Sequence, residues 1–185
     1  MIKESHRKRL KKLAGIISEN KDMSNKNDNS LLKVGVGMIL KLNPEELSKV
    51  LDVGVPTKDL TTGCEMTKLP SDMVHVTLTS IKNFKPFRDD FKDFVLPSSI
   101  EIPNIQIGER IFVHRPEAEK VTYVMSLLNQ EEFKNFVDSV YKSLELENPE
   151  PDRFYHITLA NNEGGNPFKS IGNVTKKDFE KWKIN

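Results

Sequence analysis

Apolar residues along this chain alternate between short β-branched runs and stretches in which they recur every three or four positions. The short runs are typical of strands and the wider spacing of amphipathic helices. Strands are expected at residues 31–42, 73–80, 99–107, 110–115, 120–128 and 153–160. Helices are expected after Asn43, around Phe87, Phe91 and Phe94, over residues 130–145 and in the tail 175–185. This order predicts an α+β fold in which largely antiparallel sheets line a groove and helices lie outside.

Local signals mark several boundaries of these elements. Asn43 and Pro44, followed by two glutamates, provide the cap, the first-turn proline and the acidic first turn of a helix. Gly35 and Gly37 interrupt the first apolar run, where glycine indicates a bulge or the close approach of another segment. The two runs on either side of Pro116 predict a hairpin.

The first 30 residues differ in composition from the rest of the chain. Residues 10–17 carry apolar positions at helical spacing next to a cluster of lysines and arginines, and residues 19–30 are polar and rich in Asn and Ser. The pattern predicts a basic helix and linker over 1–30 and a separate domain over 31–185. The basic helix is a candidate contact for nucleic acid or a protein partner, and a solvated terminal helix is the alternative.

Composition narrows the class of protein. With 185 residues, 37% hydrophobic and 30% charged, the chain suits one domain or two small fused lobes with a buried core. Its net charge of +1 favours no class of partner. Cys64 is the one cysteine, which excludes a disulfide framework and a cysteine-based zinc site. No apolar run approaches the ~20 residues of a membrane span and no secretory signal is visible, so we expect a cytoplasmic protein without membrane contact.

A His-x-Thr-Leu motif occurs twice, at His75–Leu78 and at His156–Leu159, each time within a short apolar run. Strand side chains alternate between faces, so the histidine and threonine of each copy point the same way. Each copy therefore offers an imidazole beside a hydroxyl, with the residue between them turned toward a core. If two such strands lie next to each other, two histidines and two threonines line the floor of a cleft.

This set of side chains suits cleavage of a phosphodiester. One group must take a proton from the attacking oxygen and another must give one to the leaving oxygen, and imidazole, with a free pKa of about 6.5, does both. Threonine hydroxyls are candidates to donate to the non-bridging phosphate oxygens. We therefore predict catalytic roles for His75, Thr77, His156 and Thr158, with no metal and no other cofactor. A single His-x-Thr strand is more often structural, and the repeat is what favours catalysis. His114 lacks the following hydroxyl and is expected to be structural or at the rim.

The two motifs resemble those of the 2H phosphoesterase superfamily, which is defined by two H-x-[ST]-x strands in two pseudo-symmetric lobes. Within it, HVTLTS, HITLANN and the trailing GGNPFKSIGNV are similar to the phage anti-CBASS cyclic-oligonucleotide phosphodiesterases, also labelled RNA-repair-like proteins. The resemblance covers roughly residues 31–175. It implies a bilobal fold around a central groove, with the two histidines as acid and base and the two threonines on the phosphate. It further implies metal-independent hydrolysis of cyclic di- and trinucleotides such as cGAMP, as immune evasion in the host cytoplasm.

Further residues are predicted to bind the substrate. Asn161, Asn162, Gly164 and Gly165 follow the second motif in a loop that permits positive φ and exposes backbone N–H groups. Such a loop suits phosphate oxygens or base edges, and a plain turn is the alternative. Lys41 is expected to help make the groove locally positive.

Two rival functions remain open. One is a 2′,3′-cyclic or 2′–5′ phosphodiesterase of the same superfamily that acts on RNA with the same four residues. The other is a non-catalytic binder whose groove only sequesters cyclic nucleotides or RNA. Product analysis separates the first rival from a cyclic-oligonucleotide phosphodiesterase. Binding without turnover identifies the second rival.

Overall fold

The computed structural model describes residues 31–182, so the predicted basic helix and linker of residues 1–30 and the last three tail residues lie outside it. The described residues form a mixed α+β fold built on one antiparallel sheet, which confirms the predicted class. The strands are β1 (Leu32–Val34), β2 (Met38–Lys41), β3 (Thr67–Lys68), β4 (His75–Thr79), β5 (Ile107–Arg115), β6 (Lys120–Leu127) and β7 (His156–Asn161). The helices are α1 (Pro44–Asp52), α2 (Ile81–Phe84), α3 (Gln130–Ser143) and α4 (Lys176–Lys181).

The strand order is symmetric about the pair of motif strands, β4 and β7. The sheet runs β1-β2-β4-β7-β6-β5, and β3 pairs with the far end of β7. Each half is therefore a hairpin followed by one strand that carries a His-x-Thr motif. The two-lobed arrangement implied by the resemblance is not confirmed, because both halves belong to one continuous sheet.

Helices α1, α2 and α3 pack on one face of this sheet. The motif strands turn Val76 and Ile157 into the main core, where each is fully buried. The predicted apolar stripe of α3 packs in the same core: Phe133, Phe136, Val137 and Val140. The opposite face carries a smaller core beside β5 and β6, in which α4 supplies Phe179. Around β2, β4 and β7 that face is half-exposed.

Several predicted boundaries are present in the structure. The Asn43 side chain accepts a hydrogen bond from the Glu46 N–H at 2.9 Å, and the Glu46 carboxylate accepts one from the Asn43 N–H at 3.0 Å. This reciprocal cap explains why α1 begins at Pro44. The hairpin around Pro116 is also confirmed, as β5 and β6. No helix within residues 31–182 has both the length and the apolar character needed to span a membrane.

The first strand prediction was wrong in its extent. Residues 31–42 form a hairpin of β1 and β2 rather than one strand. Gly35 and Gly37 lie in its turn, where the Gly35 N–H donates to the Gly37 carbonyl at 3.0 Å. A strand gains little from glycine, which has no side chain to pack, so the glycines favour the turn.

Two further elements differ from the prediction. Residues 99–106 are irregular, because Pro103 cannot donate to a ladder. The strand runs from Ile107 through Gly108 to Arg115, without a break between the predicted strands 99–107 and 110–115. The phenylalanine-rich segment forms only α2 and successive turns, since Pro86 ends the helix. Its rings still pack as expected, with Phe91 centred 5.1 Å from Phe84.

Candidate active site

The two motif strands lie side by side at the centre of the sheet. Val76 and Ile157 are direct partners in an antiparallel ladder, and both point into the core. Because antiparallel partners step in opposite directions, each motif histidine lies beside the threonine of the other motif, on the opposite face. The resulting cross-strand pairs are His75 with Thr158 and Thr77 with His156. We call these four side chains the motif tetrad.

The motif tetrad forms a patch small enough to surround one phosphate. Directly opposed β-carbons in such a ladder are about 4.5–5.5 Å apart, and diagonal neighbours such as the two histidines are about 7–8 Å apart. His75, Thr77 and Thr158 are half-exposed, and His156 is 6% exposed. The structure therefore brings the four predicted catalytic residues together on one face of the sheet, three of them half-exposed and His156 buried.

The electrostatic setting of His156 favours its neutral form. Its Nδ1 lies 3.2 Å from the Phe154 carbonyl oxygen. A carbonyl only accepts, so the hydrogen of neutral His156 belongs on Nδ1, which leaves the Nε2 lone pair available. Burial, and after it the charge of Arg153, lower the pKa of His156 to about 4, while the Phe154 carbonyl and Asp178 oppose that shift.

His75 has a related setting with different neighbours. Lys41 of β2 is its direct cross-strand partner, so the predicted lysine lies beside the motif tetrad on the same face. Burial lowers the pKa of His75, and the Lys41 charge adds to this effect, while a hydrogen bond to the Met73 backbone opposes it. Each motif histidine is thus paired with the backbone two residues before it.

Two neighbours of the motif tetrad were missed by sequence reasoning. Ser126 of β6 is the direct partner of His156, and Arg153 donates from Nε to the Thr77 carbonyl at 2.8 Å. Ser126 lies in an apolar run without a motif, so only the strand pairing reveals it. Arg153 precedes the second motif by three residues, but nothing in the sequence indicates its contact with the first.

The asparagines predicted to bind substrate have their amides engaged within the protein. The Asn161 Nδ2 donates to the Asn166 carbonyl at 2.7 Å, and its Oδ1 accepts from the Gly165 N–H at 2.9 Å. The Asn162 Oδ1 accepts from the Val121 N–H at 2.9 Å, and its Nδ2 donates to the Glu119 carbonyl. These bonds give both side chains a role in shaping the loop after β7.

The glycines of that loop have the backbone conformation expected from the sequence. Gly164 and Gly165 have φ of 70° and 73°. A β-carbon on Gly165 would lie 2.6 Å from the Lys68 carbonyl, whereas the position at Gly164 is open. The loop is therefore folded tightly against β3, beyond the Thr158 end of the motif tetrad.

His114 lies apart from the motif tetrad and agrees with the structural role expected for it. Its Nε2 is 3.7 Å from Asp59 Oδ1, and its ring is centred 4.6 Å from that of Trp182. Within residues 31–182, no group of three or more His, Cys, Asp or Glu is arranged to hold a metal.

A cavity of about 450 Å³ with a mixed polar and apolar lining adjoins the start of β7. Arg153 and Phe154 line it together with Lys134 of α3 and Lys176 of α4. Its lining residues include no member of the motif tetrad. The chain matches no protein-family model, no curated protein and no solved structure.

Proposed function

We propose that this protein is a metal-independent phosphodiesterase that hydrolyses cyclic di- and trinucleotides by acid–base catalysis with two histidines. The observation that carries the proposal is the register of β4 and β7, which sets each motif histidine beside the other motif's threonine on the face turned away from Val76 and Ile157. An imidazole on either side of one phosphate can serve the attacking and the leaving oxygen separately.

The proposed step needs only groups of the motif tetrad. One imidazole takes the proton of the attacking oxygen as its bond to phosphorus forms. The other imidazole gives a proton to the leaving oxygen as the old P–O bond breaks. The Thr77 and Thr158 hydroxyls donate to the non-bridging oxygens, whose charge is redistributed in the transition state. No redox change and no added co-reactant other than water is required.

The repeated architecture supports a two-motif enzyme of the 2H type. On β2, Lys41 is the partner of His75 and Ile39 is the partner of Thr77. On β6, Ser126 is the partner of His156 and Val124 is the partner of Thr158. Both ladders then shift register at the next position, between Met38 and Ile39 and between Tyr123 and Val124. The two halves therefore match position by position, as the pseudo-symmetric lobes of that superfamily would.

The substrate class is proposed from the resemblance of HVTLTS, HITLANN and the trailing GGNPFKSIGNV to the cyclic-oligonucleotide phosphodiesterases. In this proposal the protein removes cyclic-nucleotide immune signals in the cytoplasm of a phage host.

Product analysis tests the proposal directly. The full-length protein is incubated in EDTA with cyclic di- and trinucleotides and with RNA bearing 2′,3′-cyclic or 2′–5′ linkages. Linear dinucleotide from a cyclic one is the expected result, and H114Q, a histidine variant remote from the motif tetrad, should retain it. Opening of RNA 2′,3′-cyclic ends alone favours the RNA enzyme, and hours of binding without consumption favour the sequestering protein.

A further inference from the structure

Arg153 joins the segment before β7 to the other motif strand. Its side chain is 9% exposed, and its Nε donates to the Thr77 carbonyl at 2.8 Å. Its Nη1 donates to Glu150 Oε1 at 2.9 Å, and Glu150 Oε2 accepts from the Ser80 N–H at 2.6 Å. Arg153 and Glu150, which we call the strand clamp, therefore bond to Thr77 within β4 and to Ser80, the residue that follows it.

The strand clamp acts at the Thr77–His156 end of the motif tetrad. The ladder that joins β4 to β7 directly is short, with Val76 and Ile157 as its register pair. The separation of Thr77 from His156 therefore depends on additional bonds, and the strand clamp supplies them. A displacement of catalytic groups by ~1 Å can cost ~10²-fold in rate, so this restraint matters for the proposed reaction.

Arg153 also dominates the fixed charge around His156. The charged or titratable groups that act on this imidazole are Arg153 from the preceding segment, His75 from β4 and Asp178 from α4. The Asp178 carboxylate is already engaged by the Arg115 guanidinium, at 2.9 Å. Because the Asp178 carboxylate is bonded to Arg115, it offsets the Arg153 charge less. The buried Arg153 cation therefore disfavours a second positive charge on His156.

We propose that Arg153 is a positioning residue that holds β4 against β7 and, together with burial, keeps His156 uncharged, which makes His156 the general base and His75 the general acid. This inference rests on the proposed function. The Phe154 carbonyl holds the hydrogen of His156 on Nδ1, so Nε2 keeps the lone pair that a general base needs. His75 is the more exposed imidazole, and a bound phosphate offsets the Lys41 charge and allows His75 to be protonated.

The test uses R153K, which keeps the charge but not the forked geometry, and R153Q, which removes the charge. R110Q is the matched control. Arg110 lies on β5 and also donates to a backbone carbonyl, that of Val53, at 2.7 Å. NMR titration of the His156 ring signals, assigned with H156Q, reports its protonation without any need for turnover. The pH profile of kcat/KM on a cyclic dinucleotide reports the catalytic consequence, and backbone spectra confirm that each variant is folded.

We expect the pH midpoint of the His156 titration to rise by about one pH unit or more in R153Q, which is the size of the charge effects seen in proteins. The midpoint should stay low in R153K and R110Q. We expect kcat to fall ~10–100-fold in both Arg153 variants. The acid limb of the kcat/KM profile should move to higher pH only in R153Q. An unchanged midpoint in R153Q overturns the proposal, as does an R153K enzyme with unaltered kcat. If the wild type cleaves no phosphodiester, the proposed function and the catalytic assignment fail together, while the titration still decides whether Arg153 controls His156.

Discussion

Lys41 of β2 lies directly opposite His75 of β4, so an ammonium group and an imidazole share the half-exposed face of the sheet. A cation at this position has two expected effects. It attracts a phosphate anion to the motif tetrad, and it discourages protonation of His75 until that anion is bound.

Replacing Lys41 tests both effects. K41Q should raise KM for a cyclic dinucleotide about tenfold, the size expected for one lost charge-assisted contact, and should raise the pKa of His75. Steady-state kinetics and NMR titration of His75 measure the two changes. K33Q, on the neighbouring strand β1, is the control and should alter neither. Equal effects of K41Q and K33Q would show that general surface charge, and not the position of Lys41, attracts the substrate.

The motif threonines are expected to act in the transition state. T77V and T158V keep the shape of the side chain but remove the donor, so each should lower kcat on the order of 10²-fold with little change in KM. Both positions are half-exposed, so urea unfolding should show a stability change of less than about 1 kcal/mol. A variant that loses binding but keeps kcat would place its hydroxyl in ground-state recognition instead.

Burial of neutral His156 makes stability depend on pH. The folded pKa of about 4 lies below the unfolded value of about 6.5, so between these values the unfolded chain binds the additional proton. Stability should therefore be fully present above pH 6.5 and fall as the pH drops toward 4, by up to about 3 kcal/mol. Urea unfolding across this range measures the slope. H156Q should have a shallower slope than the wild type, and identical slopes would contradict the burial of a neutral imidazole.

Two adjacent glycines offer a matched pair for the loop after β7. Gly164 and Gly165 both have positive φ, so alanine at either is strained by about 1 kcal/mol. Only at Gly165 would the new β-carbon approach the Lys68 carbonyl, at 2.6 Å. G165A should therefore lower the free energy of unfolding by at least 1 kcal/mol more than G164A does. Thermal unfolding decides this, and equal losses would mean that contact with β3 does not constrain the loop.

The sequence was most informative where the signal is local. The cap at Asn43, the stripe of α3 and the two His-x-Thr strands all depend on residues a few positions apart, and each prediction agrees with the structure. The apolar run around Gly35 was misread because a strand and a tight hairpin share the same composition. Residues 99–106 were misread because alternation is also produced by an irregular segment whose isoleucines pack on the core.

The surroundings of the motif tetrad could not be predicted because they depend on strand pairing. Lys41 was proposed from its charge alone, and only the β2–β4 register sets it beside His75. Ser126 and Arg153 reach the site through β6 and through a contact with Thr77, neither of which leaves a sequence pattern. Asn161 was predicted to bind substrate, and its buried amide is bonded within the loop. The sequence does not separate ligand binding from shaping of a turn, because both favour asparagine.

The most direct test of the central claim compares the wild type with H75Q, H156Q and the double variant on a cyclic dinucleotide in EDTA. If the two imidazoles serve one phosphate as acid and base, each single variant should lose on the order of 10³-fold or more in kcat. The double variant should then be little slower than either, because residues that act as a unit are not additive. Single variants that retain nearly wild-type turnover, or a wild type that does not cleave the substrate, would contradict the account.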